Sequence, residues 1–177
     1  MATDHGAHRH QHHQHPHASE ADHPLAAKVL TVSDGVVAGT REDRSGEALG
    51  ETLAAAGYEV VERRVVADGV DTVAEALTEM SAGFGGLIVS TGGTGFTERD
   101  LTPEGTRAVI EREAPGLAEA MRLVNPLGRL SRGVAGIIGR AIVLNTPGST
   151  KGCVECFEAV ADVLPHALAL LAGERLH

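Results

Sequence analysis

The chain reads as an α/β sandwich: a mostly parallel, mixed β-sheet with helices on both faces. Three observations predict it. Short β-branched runs alternate with amphipathic helical stretches along the sequence, the pattern of strand–helix–strand units. Four strand-like runs stop in small, polar or acidic residues, at Ser33-Asp34-Gly35, Asp68-Gly69, Thr91 to Gly95 and Asn145 to Ser149. Two late runs are joined at Gly139, a link too short for a parallel crossover, so that pair is antiparallel and the sheet is mixed.

The elements follow in order. Lys28 to Ser33 is a β-branched strand, after which a glycine- and charge-rich loop runs to Arg44. Ser45 is expected to cap a helix with Leu49, Leu53 and Ala56 on one face, and Gly57 to stop it. Tyr58 to Val66 is a strand whose charges, Glu59, Glu62, Arg63 and Arg64, put it near an edge. Asp71 is expected to cap a helix with Val73, Ala76, Leu77 and Met80 at helical spacing. Leu87, Ile88 and Val89 form a buried strand. Thr102 is expected as an N-cap, with Pro103 and Glu104 suited to the first turn, of a helix running to about Glu113. Leu117, Ala120, Met121 and Val124 mark another, closed by Asn125-Pro126. Leu130 to Ile138 and Arg140 to Asn145 are the antiparallel pair, joined at Gly139. Ser149 is expected to cap a last helix carrying Cys153, Cys156, Phe157, Val160 and Leu164, which Pro165 kinks or restarts.

With 177 residues, the chain is expected to hold one domain, over residues 25–177, large enough to bury a core. Residues 1–24 stand apart. They hold eight of the ten histidines and almost no apolar residue larger than alanine, so a disordered His-rich tail is expected there. It reads as a solvated tail, with capture of nickel, copper or zinc by neutral imidazoles as the sharper reading. A net charge of −9 and only four aromatics argue against a nucleic-acid surface. No apolar run is long enough for a membrane span, and the first residues lack a signal's apolar segment, so a cytoplasmic protein is expected. Cys153 and Cys156 lie on an apolar helical stripe and read as small core residues rather than a redox or zinc pair.

The chemistry is expected at the four polar strand ends. Strands that run the same way bring their carboxyl ends to one rim, where open α/β sheets place ligands. In Thr91-Gly92-Gly93-Thr94-Gly95, glycines remove Cβ atoms so that backbone N–H groups can approach an anion, and threonine hydroxyls add donors. The loop is neither a Walker A nor a dinucleotide fingerprint, because both spacings fail. Asp68 and Asp100 are short carboxylates, each after a strand, suited to Mg²⁺ beside phosphate; Asp34 is a third candidate. Lys151, in the first turn of the last helix, opposes the helix dipole unless an anion sits there. Ser131 and Arg132 are further polar residues ahead of an apolar strand.

Taken together, Ser33-Asp34, Thr91 to Gly95, Asp100-Leu101-Thr102-Pro103-Glu104, Leu130-Ser131-Arg132 and Asn145 to Ser149 resemble the signature of the MoaB/Mog molybdenum-cofactor biosynthesis family and of a related gephyrin domain. The resemblance covers Ala27 to the C-terminus. It departs at Thr146, where the family often has a bulkier residue, and near Thr150, where it often has a second proline. The resemblance implies a three-layer α/β domain that forms homotrimers. It implies adenylylation of molybdopterin by ATP with Mg²⁺, giving adenylyl-molybdopterin and pyrophosphate, with a downstream molybdenum-insertion protein as a partner. Asp68 and Asp100 would be the catalytic and metal-binding residues. Ser33, Asp34, Thr91 to Gly95, Thr102, Glu104, Ser131, Asn145, Pro147, Gly148, Ser149 and Lys151 would bind pterin and nucleotide. A non-catalytic molybdopterin-binding or carrier protein of the same pathway is the alternative.

Overall fold

The computed structural model describes residues 25–173. The histidine-rich segment 1–24, and the expectations attached to it, lie outside those residues. A six-stranded sheet runs in the order β2-β1-β3-β6-β5-β4. Its strands are β1 (Leu25–Val32), β2 (Tyr58–Val66), β3 (Leu87–Thr91), β4 (Arg112–Glu113), β5 (Ala135–Ile138) and β6 (Ala141–Thr146). β2, β1, β3 and β6 are mutually parallel, whereas β5 runs antiparallel to β6 and to β4.

The alternation of side chains along the central strands builds two cores. Val29, Leu87, Val89 and Leu144 face one way, Leu30, Ile88 and Val143 the other. A strand apolar on both faces needs a layer on each side. On the first face, α2 (Arg44–Ala55), α5 (Pro115–Leu123), α6 (Thr150–Glu158) and α7 (Leu164–Ala172) supply Leu49, Leu53, Met121, Phe157 and Leu164. On the second, α3 (Val70–Ser81) supplies Val73, Leu77 and Met80, and α4 (Thr102–Arg107) packs against α3. The result is a three-layer sandwich, as expected. Phe157 is fully buried, a burial that contributes about 2–3 kcal/mol. Its ring meets Tyr58 edge-on at 6.1 Å, and burial pushes the Tyr58 phenol up in pKa. Cys153 and Cys156 are buried thiols in the same core, each pushed up to about 11 by desolvation, as befits core residues.

β2 is the sheet edge its charges announced. Lys28 and Arg64 pair with Glu62 at 2.9 and 2.8 Å, covering the outer strand with charge. The β5–β6 pair is antiparallel, as the Gly139 link required.

Several boundaries differ from expectation, each for a local reason. β1 begins at Leu25 because the backbone pairs with β2 from Tyr58 onward. α2 is capped by Asp43, not Ser45: the Asp43 carboxylate accepts from the Gly46 amide at 2.9 Å and from the buried Thr31 hydroxyl. α3 starts after Gly69, with Asp71 one residue inside its first turn. Thr102 is the first residue of α4 rather than its cap, and its hydroxyl donates to the Gly92 carbonyl at 2.8 Å. α4 stops at Arg107, well short of Glu113. The Glu111 and Ala114 amides pair instead with the Ile137 and Ala135 carbonyls, adding the short edge strand β4. The expected strand from Leu130 begins only at Ala135. Pro126–Leu130 is a 3₁₀ turn, and the Arg132 amide donates to the Thr94 carbonyl rather than to a strand.

Candidate active site

β1, β2, β3 and β6 all end on one edge, so the loops after them form a single rim. A cavity of about 1280 Å³ opens there, larger than one drug-sized ligand needs. Ser33, Asp68, Thr91 to Gly95, Asp100, Ser131, Pro147, Gly148, Ser149 and Lys151 line it. Residues far apart in the chain therefore do converge on one hollow.

The glycine loop is tied to the end of β6. The Gly92 amide donates to the Thr146 carbonyl at 3.1 Å, and the Thr91 hydroxyl to the Pro147 carbonyl at 2.9 Å. Gly92 has φ +102°, and a Cβ there would lie 2.2 Å from the Val32 carbonyl oxygen, so only glycine fits. Past this point the Gly93, Thr94 and Gly95 amides make no hydrogen bond to protein among the described residues. They leave a row of unpaired donors on a loop that lines the hollow.

Both candidate carboxylates press against this loop. An added Cβ on Gly93 would come within 3.1 Å of Asp68 Oδ1, and one on Gly95 within 2.9 Å of Asp100 Oδ2. Each is oriented by a backbone amide. Asp68 Oδ2 accepts from the Asp34 N–H at 2.9 Å, and Asp100 Oδ2 from the Thr97 N–H at 2.8 Å. The remaining oxygen of each, Oδ1, has no hydrogen-bond partner in the protein among the described residues.

Beside the glycine loop, where Gly148 lies against Gly92, Ser149 caps α6, accepting from the Gly152 amide at 3.2 Å. The first amides of that helix are left for a ligand or solvent. Lys151 stands beside them, its side chain 82% exposed and 3.5 Å from Glu155. Arg41 and Arg44, from the loop before α2 and its first residue, also line the cavity. Met121, Val124, Leu127 and Leu130 add an apolar shelf to the lining, with Leu127 and Leu130 strongly exposed. The lining thus combines cations and backbone amides with exposed apolar side chains. The two arginines belong to the glycine- and charge-rich stretch that the sequence marks only as a connecting loop. The shelf carries no motif, because exposed leucines on a helix and a 3₁₀ turn look in sequence like core.

Asp34, Thr102, Glu104 and Asn145, expected as ligand contacts, do not line the cavity. Asn145 is 2% exposed inside the sheet. Its amide donates to the Ser90 and Thr106 hydroxyls, both at 3.0 Å, and its oxygen accepts from the Val134 N–H at 3.2 Å. It joins β3, β6, α4 and the approach to β5 just below the rim. Glu104 pairs with Arg132, which holds its carboxyl below the ordinary range. The Arg132 guanidinium also donates to the Gly95 carbonyl at 2.8 Å and to the Asp100 carbonyl. Asp34 is engaged by Arg99, whose guanidinium donates to Asp34 Oδ2 at 2.7 Å and holds that carboxyl down in pKa.

The family model described as "Probable molybdopterin binding domain" matches residues 28–166. The chain is 38% identical to the molybdopterin adenylyltransferase of Helicobacter pylori, over 82% of this chain and 86% of that protein. It is 34% identical to that of Escherichia coli, over 84% and 86%. Among solved structures it resembles the molybdopterin biosynthesis enzyme MoaB of Thermus thermophilus, at 45% identity and a TM-score of 0.79, covering 86% of this chain and 99% of the other. With that match, those identities and this fold, the chain belongs to the molybdopterin-binding domain family of molybdenum cofactor biosynthesis.

Proposed function

We propose that this protein transfers the adenylyl group of ATP to molybdopterin in a Mg²⁺-dependent reaction that releases pyrophosphate. The observation that carries the reading is that Asp68 and Asp100 abut the same glycine loop inside one cavity. Similarity to relatives named molybdopterin adenylyltransferase over most of both chains supports it. The terminal phosphate oxygen of the pterin forms a bond to the α-phosphorus of ATP. The bond from that phosphorus to the bridging oxygen of pyrophosphate breaks in line with it. Such chemistry needs positioning and charge stabilisation more than covalent help from the protein.

The residues divide that work. The Gly93 to Gly95 amides and the N-terminus of α6 receive phosphate oxygens. Arg41, Arg44 and Lys151 offset the charge of the polyphosphate. The shelf of Met121, Val124, Leu127 and Leu130 accepts a flat heterocycle. The two aspartates fit a small hard cation, since each keeps one oxygen free of protein partners among the described residues. Mg²⁺ takes one or two carboxylates and fills its shell with water and substrate phosphate. Asp68 and Asp100 would hold Mg²⁺, which would supply neutralisation of phosphate charge. The working unit is proposed to be a cytoplasmic homotrimer that passes its product to a molybdenum-insertion protein. Exposed Leu123, Val163 and Leu170, which do not line the cavity, support burial against another chain.

The test is pyrophosphate release from MgATP and molybdopterin. Asp100→Ala is expected to lower turnover by about 100-fold or more with the fold intact. Undiminished turnover would remove Asp100 from the mechanism. Tight pterin binding by the wild type without pyrophosphate release would leave the carrier reading in its place.

A further inference from the structure

We propose that Arg99 and Asp34, neither of which lines the cavity, form a clasp that fixes the two aspartates relative to each other, and that both are positioning residues of the transfer. The proposal rests on the adenylyl-transfer reading above.

Asp68 follows β2 and Asp100 lies beyond β3, and β1 stands between those strands. The two carboxylates therefore ride on loops from strands that do not touch. Asp34 opens the helix α1 (Asp34–Val37) that follows β1, midway between them. It exchanges hydrogen bonds with Asp68: the Asp34 N–H donates to Asp68 Oδ2 at 2.9 Å, and the Asp68 N–H donates to Asp34 Oδ1 at 3.0 Å. The other oxygen of Asp34 accepts from Arg99 Nε at 3.1 Å and Nη2 at 2.7 Å. The same Nη2 donates to the Asp68 carbonyl at 2.8 Å. Arg99 is the chain neighbour of Asp100, whose Oδ2 accepts from the Thr97 N–H and whose N–H donates to the Thr97 carbonyl at 3.1 Å. A continuous path of hydrogen bonds thus runs from the Asp100 turn to the Asp68 carboxylate.

Folding does not explain the arrangement. The Arg99 and Asp34 side chains are 62% and 49% exposed, and ion pairs in solvent contribute little to stability. What the pair does is geometric. Both Asp34 oxygens are occupied inside the protein, which takes this carboxylate out of contention as a ligand and makes it a spacer between loops. The planar fork of arginine spans Asp34 and the Asp68 carbonyl together, which a single ammonium does less well.

The experiment uses the full chain and initial rates of pyrophosphate release with molybdopterin and MgATP. The variants are Arg99→Gln, Arg99→Lys, Asp34→Asn and the double Arg99→Gln/Asp34→Asn. Misplacing a catalytic group by a fraction of an ångström to an ångström costs about 10–100-fold, so each of Arg99→Gln and Asp34→Asn is expected to lower kcat by that much. KM for either substrate is expected to stay within about threefold, because neither residue lines the cavity. The double variant is expected to be no worse than the poorer single, since both break one link. Arg99→Lys should fall between wild type and Arg99→Gln. A kcat within about twofold of wild type in Arg99→Gln overturns the clasp, as do multiplicative losses in the double variant or a loss carried by KM. A wild-type protein that releases no pyrophosphate overturns the adenylyl-transfer reading itself, before any variant is compared, and the clasp falls with it.

Discussion

In the parallel half of the sheet, β2, β1, β3 and β6 each deliver a loop to the rim by ending there. In the antiparallel edge, β5 delivers Ser131 and Arg132 by beginning there, because its first residue pairs beside the carboxyl end of β6. Strand direction therefore decides which side of a strand carries the chemistry. It also decides what the loops are for. Those of the parallel half present free amides and carboxylate oxygens to the cavity. The approach to β5 mostly grips: Arg132 takes the Gly95 and Asp100 carbonyls and Glu104 from behind the glycine loop.

The comparison breaks most sharply at Gly92. Gly92→Ala places a methyl 2.2 Å from the Val32 carbonyl oxygen, a backbone atom that cannot swing away, at a φ of +102°. A destabilisation of about 3 kcal/mol is expected, from strain at a left-handed residue plus the clash. Turnover should fall with it, because the same loop carries the donors. Denaturant unfolding measures the first and pyrophosphate release the second. Near-native stability would mean that the rim is far softer than its contacts suggest.

Arg132 is the corresponding test of the edge. Arg132→Met removes the fork but keeps most of its length. A loss of about 2 kcal/mol is expected from the stranded carbonyls and carboxylate, with turnover reduced through the Asp100 turn. The pH dependence separates the ion pair from the packing. Arg132 holds the Glu104 carboxyl below its ordinary value, so this stabilisation is complete above the unfolded carboxylate pKa of about 4. It is lost as pH falls through the depressed native value. The stability gap between wild type and variant should therefore narrow in acid. A gap that stays constant through that range would assign the effect to packing alone.

The two halves were also unequally legible. Leu87 to Val89, a buried run with a polar stop, identifies its strand and its loop together, and the same holds at Val32, Val66 and Thr146. Asp68 and Asp100 follow from that pattern as cavity-lining carboxylates. At the edge the cues mislead. Val109 and Ile110 continue the helical reading of α4, yet the Glu111 and Ala114 amides are drawn to β5, a partner about 20 or more residues away. Asn145 looks like a rim residue because it sits at a strand end, but the Ser90 and Thr106 hydroxyls that hold it come from elsewhere in the chain. Arg99 carries no local sign of its role, since its partners Asp34 and Asp68 are 65 and 31 positions away. What depends on one strand and its own turn can be read from the residues. What depends on a hydrogen bond across the fold cannot.

The smallest expected effect lies at the far end of the edge, and it sets the scale for the rest. Glu113 sits on β4, with its carboxylate 3.6 Å from Arg107 and both side chains at least half exposed. Water competes for such a pair, so Glu113→Ala should shift stability by no more than about 0.5 kcal/mol. It should leave pyrophosphate release unchanged, because the strand touches neither the glycine loop nor the cavity. A fall in turnover comparable to that in Arg132→Met would show that β4 transmits to the rim through β5. The edge would then act as one body rather than as a grip at Arg132 with a passive strand beyond it.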